Sequence, residues 1–229
     1  AIGHAYAGLG QDEPAVAVRS SATAEDLPDL SFAGQQDSYL NVCGQGALFD
    51  AIRRCWASLW TARAIGYRMQ MDIDQRTVAM GVVVQILLHA DVSGVLFTAN
   101  PSSGDRSELV VNSSFGLGEA VVGGQVTPDT YVLDRTSFAI KETRIGTKDE
   151  MTVAAGQHGT TTQPVRDRKR NESSLSAETL RELASMSVDV ERIFGNLEGQ
   201  AILRDPDGQH VRCGLELIVA GETLLTLYL

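Results

Sequence analysis

Arg19 is the first residue of this chain whose setting suggests chemistry. It follows Ala15-Val16-Ala17-Val18, a run of small and β-branched residues that reads as a short buried strand, and it precedes Ser20, Ser21, Ala22 and Thr23. A guanidinium among hydroxyls and backbone N–H groups suits phosphate oxygens, because Arg offers a rigid fork of donors and Ser and Thr add short ones. Downstream lie Glu25-Asp26, a turn at Pro28 and the stretch Ser31-Phe32-Ala33-Gly34-Gln35-Gln36. Gly34 lets backbone approach a ligand closely, and Gln36 and Ser38 carry groups that can hydrogen-bond to it. A generic Arg-Ser-Ser would be a polar loop between a strand and a helix.

The elements that must position these groups follow from pattern. Residues 1–13 read as the end of an entry helix and a loop. Ala47, Leu48, Ala51, Ile52, Cys55, Trp56 and Leu59 recur at steps of three and four, the mark of an amphipathic helix, with Arg53, Arg54 and Arg63 towards its other side. Trp56 and Trp60 are expected in the core. Val78 to Leu88 is long, apolar and β-branched and predicts a buried strand, interrupted by the polar Gln85. Gly94 to Phe97 and Glu108 to Asn112 predict a hairpin around Pro101-Ser102-Ser103-Gly104-Asp105, and Thr130 to Leu133 with Phe138 to Arg144 predict another. Phe115 to Gln125 is glycine-rich, lacks the Gly-Lys-Ser/Thr ending of a P-loop and reads as a structural turn, with Glu119 a polar contributor. Gln157 to Ser174, with Arg166, Arg168, Lys169 and Arg170, is expected to be an exposed loop. The last helix starts at the N-cap Ser176, with Leu175 and Leu180 as a hydrophobic staple and Leu180, Leu183, Met186, Val190 and Ile193 on its buried face. Gly195 ends it. Ala201-Ile202-Leu203, the turn Asp205-Pro206-Asp207-Gly208 and the apolar segments to Leu229 again read as hairpins.

Composition narrows the class of function. The 229 residues suffice for one large domain or two small lobes, and 43% hydrophobic with 21% charged residues is ordinary for a soluble globular protein. A formal net charge of −10 argues against non-specific binding to nucleic acid or to an anionic membrane, so a phosphate ligand must be held by local donors. No apolar run reaches transmembrane length. Cys43, Cys55 and Cys213 lack metal-ligand spacing and read as reduced thiols of a cytoplasmic protein.

Several of these stretches together resemble one family. The run from Val16 to Val42, with Val82-Val83-Val84-Gln85, Ser93-Gly94-Val95-Leu96-Phe97-Thr98-Ala99-Asn100-Pro101 and Phe115-Gly116-Leu117-Gly118-Glu119, is similar to the nucleotide-binding segment of the phosphoenolpyruvate synthase and pyruvate phosphate dikinase family. Rifampicin phosphotransferases carry the same segment, and the resemblance holds from about Pro14 to Gly195. It implies an α+β, ATP-grasp-type nucleotide-binding domain, truncated at its N-terminus, with mixed and antiparallel sheets and flanking helices. Residues 1–77 would be the remainder of a first lobe and 78–229 the second lobe. ATP would lie between the lobes. Arg19, with Ser20, Thr23, Gly34 and Ser38, would take its phosphates, and Gln85, Ile86 and Leu88 would meet the adenine, with Mg²⁺ neutralising charge.

The resemblance also implies partners: a carrier histidine on a swivelling domain and a further domain for pyruvate and phosphoenolpyruvate, or for rifampicin. His4, His89, His158 and His210 lack the family's Thr-Ser-His setting. The family's metal-binding Glu falls on Ala201, and its Gln-x-Arg triplet on Gly214-Leu215-Glu216, which leaves Glu198 as a substitute metal ligand. Three readings follow: the ATP-binding portion of a phosphoenolpyruvate synthase-like dikinase, the same portion of a rifampicin phosphotransferase, or a non-catalytic nucleotide-binding remnant. The chain alone is expected to transfer no phosphoryl group.

Overall fold

A computed structural model describes residues 1–10, 13–23 and 37–194, and the strand residues 203–204, 210–211, 214–220 and 223–228. The chain divides into two compact units, residues 1–87 with 154–161, and residues 88–153 with 162–229.

The first unit runs α1 (Ile2–Ala7), β1 (Val16–Ala22), β2 (Ser38–Val42), α2 (Gln45–Ser58), α3 (Ala62–Gln70) and β3 (Met80–Ile86). Its antiparallel sheet has the order β2-β1-β3, so the strand led by Val16 and Val18 is central. Val16 and Val18 are fully buried and pack with Val42 against Leu48, Ala51, Ile52 and Cys55, the apolar stripe of α2. Burying each large aliphatic side chain contributes about 1.5–3 kcal/mol. Desolvation, reinforced by the nearby Asp37, pushes the Cys55 thiol up to about 11, which leaves it an unreactive packing residue. Thr61 caps α3 by accepting from the Ala64 N–H at 3.2 Å.

Two expectations fail here. The Val78–Leu88 segment is not a buried strand: β3 bonds to β1 along one edge, alternates in burial, and leaves Val83 and Ile86 nearly half exposed. A strand with one neighbour and one covered face reads as apolar in sequence yet meets solvent. Trp56 and Trp60 are not core residues either; they are 46% and 59% exposed. Trp56 lies about 100° around the helix from Cys55 and so falls off the buried stripe. Trp60 covers the buried Arg68, whose guanidinium carbon lies 5.8 Å from its ring centre and whose Nη2 donates to the Leu59 carbonyl at 2.5 Å.

The first compact unit extends through Leu87, so the whole of β3 lies within it. Every residue of β3 pairs with β1, from Met80 opposite Ala22 to Ile86 opposite Val16, and the Leu87 N–H extends the ladder to the Ala15 carbonyl.

The second unit is built on a six-stranded antiparallel sheet. Its strands are β4 (Val92–Phe97), β5 (Glu108–Phe115), β6 (Asp129–Asp134), β7 (Ile140–Arg144), β12 (Gly214–Ala220) and β13 (Thr223–Tyr228), in the order β13-β12-β4-β5-β6-β7. The two predicted hairpins are β4–β5 and β6–β7. Gly94 is required in β4, because a Cβ there would stand 2.0 Å from the Asn112 carbonyl oxygen. One sheet face, with Val92, Leu96, Leu109, Val111, Tyr131 and Leu133, packs against Leu175, Leu180, Leu183 and Ala184. The last three belong to α6 (Ala177–Phe194), whose predicted cap is present: the Thr179 N–H donates to Ser176 Oγ at 3.0 Å.

The glycine-rich stretch after β5 contains a single helical turn, α4 (Glu119–Val122), where only a turn was expected. Gln157 to Ser174 is not a plain loop: it contains β9 (Thr160–Pro164), paired with β8 (Glu150–Ala154), and the short α5 (Asp167–Arg170). Ladder bonds to a partner strand organise this polar stretch where its own composition does not. The C-terminal hairpin expectation is met by β10 (Leu203–Arg204) with β11 (His210–Val211), and by β12 with β13.

Candidate functional site

Directly opposed residues in an antiparallel ladder share a sheet face, and neighbours along a strand alternate. Val18 faces the α2 side, so Arg19 faces away from it. Arg19 pairs with Ser38 on β2 and Val83 on β3, while Ala17 pairs with Gln85. Arg19, Ser38 and Gln85 therefore lie on one face, opposite the α2 core. Arg19 and Gln85 are half-buried and Ser38 is exposed. A guanidinium, a hydroxyl and an amide sharing one partly open face can donate several hydrogen bonds to an anionic ligand.

The other expected residues are placed differently. Ser20 pairs with Val82 and Ile86 with Val16, both positions of the α2 side. Thr23 is engaged in the ladder: its N–H donates to the Ala79 carbonyl at 2.9 Å, and its Oγ1 accepts from the Ala79 N–H at 3.1 Å. Leu88 is half-buried and is the first residue of the second unit. Gly34 and Glu198 lie outside the described residues, as do Gln36 and Ala201. Gly214 and Glu216 are on β12, opposite Phe97 and Val95 of β4. Among the described residues no group of three or more His, Cys, Asp or Glu side chains could hold a metal ion. No helix among them is long and apolar enough to cross a membrane.

Sequence reasoning passed over a second polar constellation, inside the second unit. Asp129 and Lys148 are both fully buried, with Lys148 Nζ donating to Asp129 Oδ1 at 2.5 Å and to the Gly146 carbonyl at 3.0 Å. Asp129 Oδ1 also accepts from the Gly146 N–H at 2.9 Å, and Oδ2 from the Ser174 N–H at 2.7 Å and Tyr131 Oη at 3.1 Å. The Lys148 ammonium stands 5.8 Å from the centre of the Phe115 ring. Every strong acceptor lobe of the carboxylate is occupied, so this cluster ties the chain around Gly146 and the entry to α6 onto β6 and offers nothing to a ligand. An Asp before a Thr-Tyr strand and a lone Lys after Gly-Thr give no local signal of such pairing.

Comparison with known proteins places the chain. The family described as pyruvate phosphate dikinase, AMP/ATP-binding domain, matches residues 1–200. The chain is 45% identical over 193 residues to the probable phosphoenolpyruvate synthase of Pyrococcus abyssi, covering 82% of this chain and 24% of that protein. Against the phosphoenolpyruvate synthase of Aeropyrum pernix it is 51% identical over 142 residues, 62% of this chain and 17% of that one. Against the rifampicin phosphotransferase of a Streptomyces species it is 44% identical over 200 residues, 87% of this chain and 23% of the relative. The chain thus spans a quarter or less of the length of these relatives. With a match over most of its length, and with Arg19, Ser38 and Gln85 gathered on one sheet face, the chain belongs to the pyruvate phosphate dikinase AMP/ATP-binding domain family.

Proposed function

We infer that this chain is the ATP-binding portion of a phosphoenolpyruvate synthase-like phosphotransferase, working in the cytoplasm as part of a larger ATP-grasp-type enzyme. The observation that carries the reading is the register that puts Arg19, Ser38 and Gln85 on one face. Arg19 and Ser38 take phosphate oxygens, and the Gln85 amide contributes on the adenine side, whereas Ile86 falls on the α2 side of the sheet. Thr23 and Gly34 complete the proposed contacts. Mg²⁺ accompanies the nucleotide, and Glu198 is the carboxylate proposed for it. In the intact enzyme the phosphoryl group passes to a carrier histidine on another domain, and the names of the relatives support pyruvate as the final acceptor, with rifampicin the second reading.

The chain alone is expected to bind ATP without turning it over. Phosphoryl transfer depends on positioning and on neutralising charge, and a transition-state Arg is worth about 10³–10⁵ in rate. The resemblance puts Gly214-Leu215-Glu216, beyond the matched residues 1–200, where the family carries Gln-x-Arg. The test is calorimetric titration of ATP and adenosine, with and without Mg²⁺, alongside ATP consumption with pyruvate, with rifampicin and with neither. Binding of ATP well above adenosine, with no turnover, supports the reading. Turnover that disappears in Arg19→Ala would overturn the claim of inactivity, and equal affinity for the two ligands would overturn the phosphate role.

A further inference from the structure

The β1–β2 ladder does not keep one register. Val16 is opposite Val42, yet Val18 is opposite Tyr39 and Arg19 opposite Ser38, so Leu40 and Asn41 together face the single residue Ala17. That is a one-residue bulge, and at it Asn41 has a left-handed backbone, φ 55°. Had the register of Val16 and Val42 continued, Arg19 would face Tyr39, and Ser38 would move to the α2 side. With the bulge, Tyr39 packs against the α2 core and Ser38 shares the face of Arg19.

Asn41 is also fastened. It is 2% exposed, and its Nδ2 donates to the Gly159 carbonyl at 2.8 Å and the Ala155 carbonyl at 3.3 Å. Its own carbonyl accepts from the Gly159 N–H at 3.0 Å. Those partners sit in residues 154–161, which belong to the first unit, in a turn with Gly156 and Gly159 at positive φ. A non-glycine residue in the left-handed region persists where its surroundings over-determine it, and Asn is among the side chains that tolerate it best.

We propose that Asn41 is a positioning residue for the phosphate-binding face: its left-handed backbone makes the bulge that brings Ser38, not Tyr39, opposite Arg19, and its amide, bonded to Ala155 and Gly159, fastens residues 154–161 to that bulge. The inference rests on the reading of Arg19 and Ser38 as phosphate ligands, and its two halves separate. The backbone half requires left-handed φ at position 41. The amide half requires two donors aimed at residues 154–161.

The experiment measures cross-strand NOEs between backbone protons of residues 19 and 38 and of residues 19 and 39, amide exchange in 154–161, and affinity for ATP and adenosine. Asn41→Gly keeps the left-handed backbone and loses the donors. It should retain the 19–38 pairing and keep ATP affinity within about threefold, while residues 154–161 exchange faster than the rest of the unit. Asn41→Val opposes the left-handed backbone; the 19–38 NOE should disappear and ATP affinity fall by about tenfold or more, with adenosine unchanged. Should Asn41→Val fail to fold, Asn41→Ala puts the same question with less bulk. A Val or Ala variant that keeps the 19–38 pairing, a Gly variant that loses it, or unchanged exchange in 154–161 in the Gly variant overturns the proposal. Wild-type protein that does not prefer ATP to adenosine overturns the phosphate reading and leaves the NOE and exchange measurements to decide what Asn41 does.

Discussion

Arg19 and Lys148 are cations in polar company, and they sit in opposite circumstances. Arg19 is half-buried on a sheet face with Ser38 exposed opposite it and Gln85 half-buried nearby. Lys148 is sealed from solvent against Asp129, whose oxygens also accept three bonds from the chain around them. The contrast separates a cation on a partly open sheet face from one sealed inside the fold. Where a buried carboxylate has all its acceptor capacity met internally, removing a partner strands a charge. Where donors line an accessible face, removing one leaves the fold able to rehydrate the gap, and the loss shows in binding.

The largest effect expected from breaking this contrast is on the sealed side. Lys148→Met should lower unfolding free energy by about 3–5 kcal/mol in urea denaturation, because Asp129 is left charged and buried without its cation. The double variant Lys148→Met/Asp129→Leu should recover part of that loss. A single-variant cost below about 1 kcal/mol would erase the distinction drawn here.

On the open side, Arg19→Ala should weaken ATP binding by about 1.5–3 kcal/mol and adenosine far less, with a smaller loss of stability than Lys148→Met. A large drop in stability with no selectivity between the ligands would put Arg19 in the same class as Lys148. Ser38→Ala should follow the same pattern with a smaller loss, about 1 kcal/mol for a neutral donor, read in the same titration.

The smallest effect concerns a pair between the two extremes. Glu108 accepts from Lys141 Nζ at 2.5 Å and from Asn100 at 2.8 Å, with the Lys141 side chain 45% exposed. The bond from Lys141, then that from Asn100, holds the Glu108 carboxyl below its ordinary value of 4.5. A depressed folded value means that this contribution is present above the unfolded value and is lost as pH falls through the folded one. Glu108→Gln should therefore flatten the acid limb of the stability profile slightly below pH about 4.5 and change little at neutral pH, because solvent screens the pair. A steep change at pH 7 would mean that burial is not what ranks these cations.

Much of the fold was legible because its signals are local. The helical stripe of Leu48, Ala51, Ile52 and Cys55, the Ser176 cap and the two hairpins around β4–β5 and β6–β7 each depend on residues a few positions apart, and each is present. Arg19 and Gln85 could be marked as polar residues in apolar strands for the same reason. The pairing of β9 with β8, the exposure of Trp56 and Trp60 and the edge position of β3 could not be read this way, since each depends on which distant segment covers the element.

The sequence by itself determined the family, the strand–helix order around Arg19 and the donor types available to a nucleotide, because propensity, periodicity and side-chain chemistry are properties of neighbouring residues. Only the tertiary structure decided which of those donors share a face. Side chains alternate along a strand, so a single bulge at Asn41 moves Ser38 from one side of the sheet to the other. At that bulge the Asn41 amide bonds to the carbonyls of Ala155 and Gly159, more than a hundred residues away in sequence. The pairing of Lys148 with Asp129 was likewise invisible, since a buried charge is stable only where the folded chain brings its counter-charge and hydrogen-bond partners together.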